Sequence, residues 1–347
     1  MNMLRHFGMG LSICALLSTS AWAQESNAVR PASSTAVGDT GIWYVPIGET
    51  LPKGKFSFGA STVNLDRTEA YSDIADFSGL FAFGATDRLE LFGGLAFMRR
   101  IDADRVPWGG GGQPMDYLVR GSWSTGVGDI NVGAKLNLLS QQQSKSAAFA
   151  IRAAVKLPTA SRDEGLGTGK ADFFVDGIVS REANETVDVA AYIGVKVRSD
   201  PDDYTLSNGL RWGVGFGYPS RSRIQIFGEA TGEKYFDDTV TFTGARTGDF
   251  VSLPSTWPVE SPADLMIGLQ YRGPNGFYMG AGLGYGLNTV ARGSDPGVAF
   301  DKGSGDRLGF QVRLGYHFGA PNPTYAGPDG TSAGGRGAGA GAGAGAA

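Results

Sequence analysis

Side chains that commonly carry out catalysis are scarce in this chain of 347 residues. It contains two histidines, His6 and His317, and a single cysteine, Cys14. Histidine metal sites and catalytic triads need several such groups close together. One histidine near the end of the chain cannot supply them. We therefore expect that the protein is not an enzyme and has no catalytic residue, no metal site and no cofactor.

Two acidic pairs are weaker candidates for a functional site. Asp102 with Asp104 and Asp202 with Asp203 lie in predicted loops, where carboxylates could hold Ca²⁺ weakly. Hydrated loop charges explain both pairs more simply, so we expect no metal there.

Other charged side chains recur at every second position within apolar stretches. This spacing places them on one face of a β-strand, since successive side chains point to opposite sides. If the strands close into a barrel, that face lines the lumen. Charges there either set the selectivity of a pore or pair with one another in an occluded interior. Nine basic and eight acidic residues are predicted on this face: Lys135, Arg152, Lys156, Lys196, Arg198, Arg211, Arg223, Arg272 and Arg313, with Glu90, Asp129, Asp172, Asp176, Asp188, Glu229, Glu233 and Asp264.

The elements that position these residues are strands of about 9–11 residues, the length that crosses a membrane at a tilt. Between Leu308 and Phe318, for example, every second residue is large and apolar, and the residues between them are glycine or polar. About twelve such strands are predicted, and an even number leaves both termini on one side. They span residues 54–65, 73–85, 88–100, 125–139, 147–158, 170–181, 185–198, 207–218, 222–234, 262–272, 275–286 and 306–318.

The connections between the predicted strands alternate in length. Every second one is a short turn with turn-forming residues, and the others span about 101–124, 159–169, 199–206, 235–261 and 287–305. Outer-membrane barrels have short periplasmic turns and longer external loops. The 55 glycines fit this fold, because runs such as Gly213, Gly215 and Gly217 lie on the inner face and leave room there.

A soluble β-sandwich also has alternating strands and is the main alternative. A sandwich buries its apolar face, whereas membrane barrels expose bulky aromatic residues near the strand ends. The apolar faces of the predicted strands carry such residues: Phe97, Phe173, Tyr218, Tyr271, Phe277, Tyr316 and Phe318. We therefore predict an all-β fold, a transmembrane antiparallel up-and-down β-barrel.

Residues 1–23 have the features of a secretory signal peptide. Arg5 precedes an apolar run from Met9 to Leu17, and Ala21-Trp22-Ala23 is a small-x-small cleavage site. The run is too short to span a membrane as a helix. Cleavage would remove Cys14, so the mature chain, from Gln24, would contain no cysteine.

Four stretches carry further motifs: Ser124 to Gly133, Val155 to Thr159, Gly84 to Leu91, and Gly165 to Gly169 followed by Asp172. They resemble the MetA-pathway phenol-degradation family of outer-membrane, transporter-like barrels, and the resemblance covers most of residues 41–318. It implies a barrel in the outer membrane, and the family's name implies the passage of aromatic or other hydrophobic compounds. Glu49 to Lys55 is also similar to barrels that carry a C-terminal OmpA-type domain, although none is expected here.

Two segments flank the predicted barrel of residues 54–318. Residues 24–53, with Trp43 and Tyr44, either hang in the periplasm or enter the lumen as a plug, and the sequence does not decide between these. Phe318 ends the last strand on an aromatic residue of the kind that the barrel-assembly machinery recognises. Residues 319–347 are rich in glycine and alanine and are predicted to form a disordered tail.

The net charge of −4 argues against a nucleic-acid partner. The expected partners are outer-membrane lipid, the barrel-assembly machinery and a small solute. The leading hypothesis is passive uptake of small solutes, hydrophobic or aromatic ones among them. The alternative is a structural or surface-interaction barrel with an occluded lumen. Barrels of about eight strands are filled and those of sixteen or more contain a channel, so twelve strands leave both hypotheses open.

Overall fold

A computed structural model describes most of the chain between residues 32 and 318, and these residues form 19 strands. The described residues are 32–67, 72–103, 124–141, 146–202, 204–241, 247–248, 251–252, 256–259, 261–273, 275–288, 290–291, 303–305 and 307–318. The predicted signal peptide and the predicted tail lie outside them. In chain order the strands are β1 Phe56–Arg67, β2 Ser72–Gly84, β3 Leu89–Ala103, β4 Ser124–Gly126, β5 Ile130–Leu139, β6 Ala148–Leu157, β7 Asp172–Ala183, β8 Val187–Arg198, β9 Gly209–Tyr218, β10 Ile224–Tyr235, β11 Thr239–Thr241, β12 Thr247–Gly248, β13 Val251–Ser252, β14 Thr256–Pro258, β15 Ala263–Arg272, β16 Phe277–Gly286, β17 Val290–Ala291, β18 Gly303–Gly305 and β19 Leu308–Phe318.

One sheet contains thirteen of these strands, and it closes on itself. Each strand pairs antiparallel with the next along the barrel, and β1 closes the ring by pairing with β19, Phe56 opposite Phe318. Because β4 and β5 both pair with β3, they are two parts of one wall strand. The barrel therefore has twelve antiparallel strands, and the predicted fold class is confirmed.

Two details of the prediction are wrong. The strand expected at 125–139 is interrupted at residues 127–129, because the Asp129 carboxylate turns to accept the backbone N–H groups of Thr159 and Ala160 at 3.1 and 3.0 Å. Asp102 was expected in a loop but belongs to β3, where its backbone lies opposite Asp73 of β2 in the strand register. The first acidic pair is therefore not a loop pair, and Asp104 lies outside the described residues.

The alternation of side chains follows the two faces of the closed wall. In β6, burial alternates residue by residue, with Ala150 and Arg152 inside and Phe149 and Ile151 outside. The outer face exposes large apolar side chains, such as Ile193 at 58% and Ile267 at 59%. Since a soluble sandwich would bury these residues, the outer wall is suited to a hydrocarbon environment. Among the described residues, no helix is long and apolar enough to cross a membrane.

The two ends of the barrel differ in their connections. At the short-turn end the wall strands are joined through residues 85–88, 140–147, 184–186, 219–223 and 273–276. At the long-loop end the connections span 104–123, 158–171, 199–208, 236–262 and 287–307, with the short link 68–71 as an exception. Some long loops contain short strands of their own, β11 paired with β14 and β17 with β18. The predicted alternation of short and long connections thus appears in the structure.

If lipid surrounds this wall, an outward charge should destabilise the barrel according to its depth. Ile193 lies in the middle of β8, whereas Ile224, also exposed, begins β10 at the short-turn end. We expect Ile193→Arg to lower the free energy of unfolding in lipid vesicles by about 2–4 kcal/mol and Ile224→Arg by about 1 kcal/mol or less. Denaturant titration of both variants measures the difference. Equal, small effects at the two positions would contradict a lipid-facing wall.

Candidate functional site in the barrel lumen

The lumen contains part of the chain's own N-terminal region, which we call the inner segment (residues 32–53). The sequence left its position open, and the structure places it inside the barrel. The Trp43 side chain is 1% exposed, and its ring stacks on Phe227 of β10 at a centroid distance of 5.0 Å. The Arg313 guanidinium of β19 lies 4.3 Å from the same ring. The inner segment thus fills the space between β10 and β19.

Glu229 of β10 holds the middle of the inner segment through its carboxylate. The backbone N–H groups of Trp43, Tyr44 and Val45 donate to it at 2.8, 2.7 and 3.1 Å. Such charge-assisted hydrogen bonds are stronger than neutral ones. Glycine on the neighbouring strand favours the close approach, because a Cβ at Gly215 would lie 3.3 Å from Val45 Cβ, which is tighter than an ordinary contact. The room left by this inward glycine is occupied by the inner segment.

Strand β19 binds the inner segment through Arg313 and Gln311. The Arg313 guanidinium donates to the Ile42 carbonyl at 2.8 Å and also to the Ser34 carbonyl. Gln311 Oε1 accepts from Trp43 Nε1 at 3.1 Å. Backbone carbonyls that would otherwise be buried without partners are satisfied here by wall side chains.

Glu90 of β3 and Lys135 of β5 bind the inner segment from another part of the wall. The Glu90 carboxylate accepts the backbone N–H groups of Thr40 and Leu51, both at 2.7 Å. Lys135 Nζ donates to the Thr40 carbonyl at 2.8 Å and lies 3.4 Å from Glu90 Oε1. The two wall charges therefore pair with each other as well as with the inner segment.

Asp39 connects the inner segment to the ion pairs of β6 and β7. Its carboxylate lies 3.1 Å from Arg152 Nη1 and 3.6 Å from Lys135 Nζ, and Arg152 Nη2 lies 2.6 Å from Asp176. Burial alone would raise the pKa of the Asp39 carboxyl. The charges of Arg152 and Lys135, with hydrogen bonds from Thr35 and Arg152, lower that pKa below its ordinary 3.8. Asp39 is therefore ionised at neutral pH and completes the charge pairing.

The other predicted lumen residues lie nearer the two ends of the barrel. Toward the short turns, Arg272 donates to the Ser220 carbonyl at 2.7 Å and Asp188 accepts from Gln225 at 3.0 Å, while Arg223 lies in the turn before β10. Among the described residues, no group of three or more His, Cys, Asp or Glu could hold a metal ion. Toward the long loops lie Asp129, Lys156, Asp172, Lys196, Arg198 and Arg211, with Glu233 and Asp264.

A cavity of about 340 Å³ separates the inner segment from the long-loop end of the barrel. We call it the loop-side cavity. Val37 and Tyr44 of the inner segment line it on one side, and Lys156, Lys196 and Arg211 are among its wall residues. The lumen therefore has two parts, one filled by the inner segment and one containing open space.

Sequence reasoning missed several polar residues of the lumen. Asp39 and Glu49 come from the inner segment, where no strand alternation marks them, and the Asp76–Arg99 pair between β2 and β3 has a distance of 2.6 Å. Three buried glutamines follow the same alternation as the predicted charges, two or four residues from an inward charge, and could have been found by it: Gln225, Gln270 and Gln311.

No protein-family model matches the chain, and no curated protein matches its sequence. Solved structures with some likeness include the toluene transporter TodX of Pseudomonas putida, with 10% identity over 77% of this chain and 88% of that one, at a TM-score of 0.39. LpxR from Salmonella typhimurium shows 12% identity over 76% and 99%, at 0.36. OmpF of Salmonella typhi, in a complex with daunomycin, shows 10% over 78% and 98%, at 0.32. Likenesses this distant do not identify a function for this chain.

Removing the charge of Glu229 should loosen the inner segment. Glu229→Gln keeps the shape but presents an amide nitrogen to backbone N–H groups, and each buried donor left unsatisfied costs about 1–3 kcal/mol. We expect faster hydrogen exchange at Trp43 to Val45, measured by mass spectrometry. Glu233→Gln is the matched control, because Glu233 lies on the same strand and pairs with Arg198 at 2.5 Å. Similar protection in both variants would contradict the role of Glu229.

The lowered pKa of Asp39 sets the pH range in which this residue stabilises the inner segment. A carboxyl with a depressed pKa contributes fully above its unfolded value and loses its contribution as the pH falls below it. The groups facing Asp39 are Arg152 and Lys135, which also contact Asp176 and Glu90. We expect the difference in exchange protection between wild type and Asp39→Asn to stay constant from pH 7 to 5 and to shrink below 3.8. A difference already lost at pH 5 would contradict this assignment.

Proposed function

We propose that the chain is an outer-membrane barrel for passive passage of small solutes, and that the inner segment must move aside for passage. The observation that carries the proposal is the division of the lumen. An open cavity on the long-loop side ends on a segment that the wall binds through many polar contacts as well as through a cluster of buried apolar side chains. The polar contacts can be exchanged for contacts with water.

The ion pairs within the wall are an argument that the inner segment can move. If the segment leaves, Lys135 keeps Glu90 at 3.4 Å and Arg152 keeps Asp176 at 2.6 Å. These four charges therefore remain paired in an emptied, hydrated lumen. Glu229 and Arg313 exchange their bonds to the segment for bonds to water. The inward charges of the wall thus have partners in both states, which is what a gate requires.

The cellular setting belongs to the same proposal. The apolar outer wall supports insertion in the outer membrane, after export directed by the predicted signal peptide. The short turns would then face the periplasm and the long loops the outside. The sequence resemblance favours hydrophobic or aromatic solutes, and the predicted Gly/Ala-rich tail would extend into the periplasm.

The second candidate is a structural or surface-interaction barrel whose lumen stays occluded. The observation that favours it is the deep burial of the inner segment, in which Ile42, Val45 and Leu51 are 2% exposed or less. In that case the long loops would carry the function and the inner segment would serve as a permanent core.

A covalent lock distinguishes the two candidates. Ser34 of the inner segment and Ser57 of β1 have hydroxyl oxygens 3.0 Å apart, so Ser34→Cys with Ser57→Cys places two thiols within reach of a disulfide of about 2.05 Å. The inner segment already continues into β1, so the bond would fix both of its ends. In a planar bilayer with KCl, we expect openings from wild type and from the reduced double variant, and none from the oxidised variant.

Single Ser57→Cys protein, taken through the same oxidation and reduction, controls for effects of the reagents. Equal conductance before and after reduction of the double variant would show that passage does not need release of the inner segment. Absence of conductance from wild type and from the reduced variant would favour the occluded barrel.

A further inference from the structure

We propose that the loop-side cavity binds a small organic anion, with its carboxylate beside Lys196 and its apolar body against Phe174 and Tyr192. The inference rests on the proposed function, because it names the class of solute that would meet the inner segment. Pockets of a few hundred Å³ hold small organic molecules, and this one has a volume of about 340 Å³.

Among the described residues that line the cavity, the charge pairing leaves Lys196 available. Two of the carboxylates that line the cavity already have basic partners. Asp172 lies 2.9 Å from Lys156 Nζ. The Glu233 carboxylate accepts hydrogen bonds from both terminal nitrogens of Arg198, at 2.5 and 2.7 Å. Lys196 also lines the cavity. In the described part of the chain, its Nζ has no carboxylate within the 4.0 Å of an ion pair.

Arg211 provides a second positive charge on the neighbouring strand. Lys196 of β8 is paired with Gly209 of β9, two residues from Arg211, so the two basic side chains are diagonal neighbours on the inner face. Among the described residues, the carboxylate paired with Arg211 is that of Asp176, at 3.7 Å, and the nearer partner of Asp176 is Arg152 at 2.6 Å. Two adjacent cations without a close carboxylate partner favour the binding of an anion beside them.

The rest of the lining favours an organic anion over an inorganic one. The Arg211 guanidinium lies 3.9 Å from the Phe174 ring centroid and 5.6 Å from that of Tyr192, so both rings stand next to the positive charge. Met266, an inward residue of β15, adds apolar surface to the cavity. An ion such as chloride would leave this surface wet, whereas a carboxylate with an apolar body would cover it.

The remaining charges do not change this assignment. Asp264 and Arg307 also line the cavity and have opposite signs. These two opposite charges offset each other, so Lys196 and Arg211 keep the cavity favourable to a negative charge.

Calorimetric titration with benzoate and benzamide tests the site. The two probes have the same size and ring and differ in charge. The protein is the oxidised Ser34→Cys, Ser57→Cys form, so that binding is measured with the inner segment fixed. We expect benzoate to bind at least about tenfold more tightly than benzamide, since a hydrogen bond to a charged group contributes about 1.5–3 kcal/mol. No heat of binding with benzoate, or equal affinities for the two probes, would overturn the proposal.

Lys196→Met keeps most of the side-chain volume and should weaken benzoate binding about tenfold, while Lys196→Arg should retain it. Lys170→Met is the matched control, because Lys170 lies at the same end of the barrel and pairs with Asp202 at 2.7 Å. Unchanged affinity in Lys196→Met, or equal losses in both lysine variants, would overturn the site. If the disulfide abolishes conductance but benzoate does not bind, this inference alone is refuted. If benzoate binds but the disulfide has no effect on conductance, the proposed gate alone is refuted.

Discussion

The structure depends on the closure of a hydrogen-bonded ladder, in which β1 pairs with β19 after ten further wall strands. A sheet whose outer face meets hydrocarbon cannot leave an edge of unpaired N–H and C=O groups, because no water is present to satisfy them. Closure assigns each side chain of the wall to the outside or the inside. The outside can then be apolar, with the side chains of Ile193 and Ile267 exposed, and polar residues collect in the lumen.

A polar inner wall creates its own requirement, since buried charges and backbone groups need partners. The inner segment supplies hydrogen-bond donors as well as acceptors to the wall. It presents backbone N–H groups to Glu229 and Glu90, backbone carbonyls to Arg313 and Lys135, and a carboxylate, Asp39, to Arg152. Polar contacts of this kind hold a segment in place and can also be exchanged for water. The same interactions that fill the lumen are therefore compatible with its opening.

The strands and the inward charges were predictable because alternation is local. Two neighbouring residues of a strand face opposite sides whatever the rest of the chain does. The spacing therefore predicts opposite faces for Arg152 and Ile151, and burial alternates residue by residue in β6. The interruption at residues 127–129 was not predictable, because it depends on a contact of Asp129 with the loop residue Thr159. The candidate site was only partly predictable: strand spacing proposed which charges face inward, but it gave no information on their partners in the inner segment.

The sequence by itself determined which residues share a face, where strands alternate with turns, and that glycine is abundant on the inner face. Only the tertiary structure decided that the N-terminal stretch enters the lumen, that Glu229 meets three of its N–H groups, and that Gly215 leaves room for Val45. The physical reason is distance along the chain. Trp43 and Glu229 are 186 residues apart and meet only because twelve strands have closed around the segment that carries Trp43.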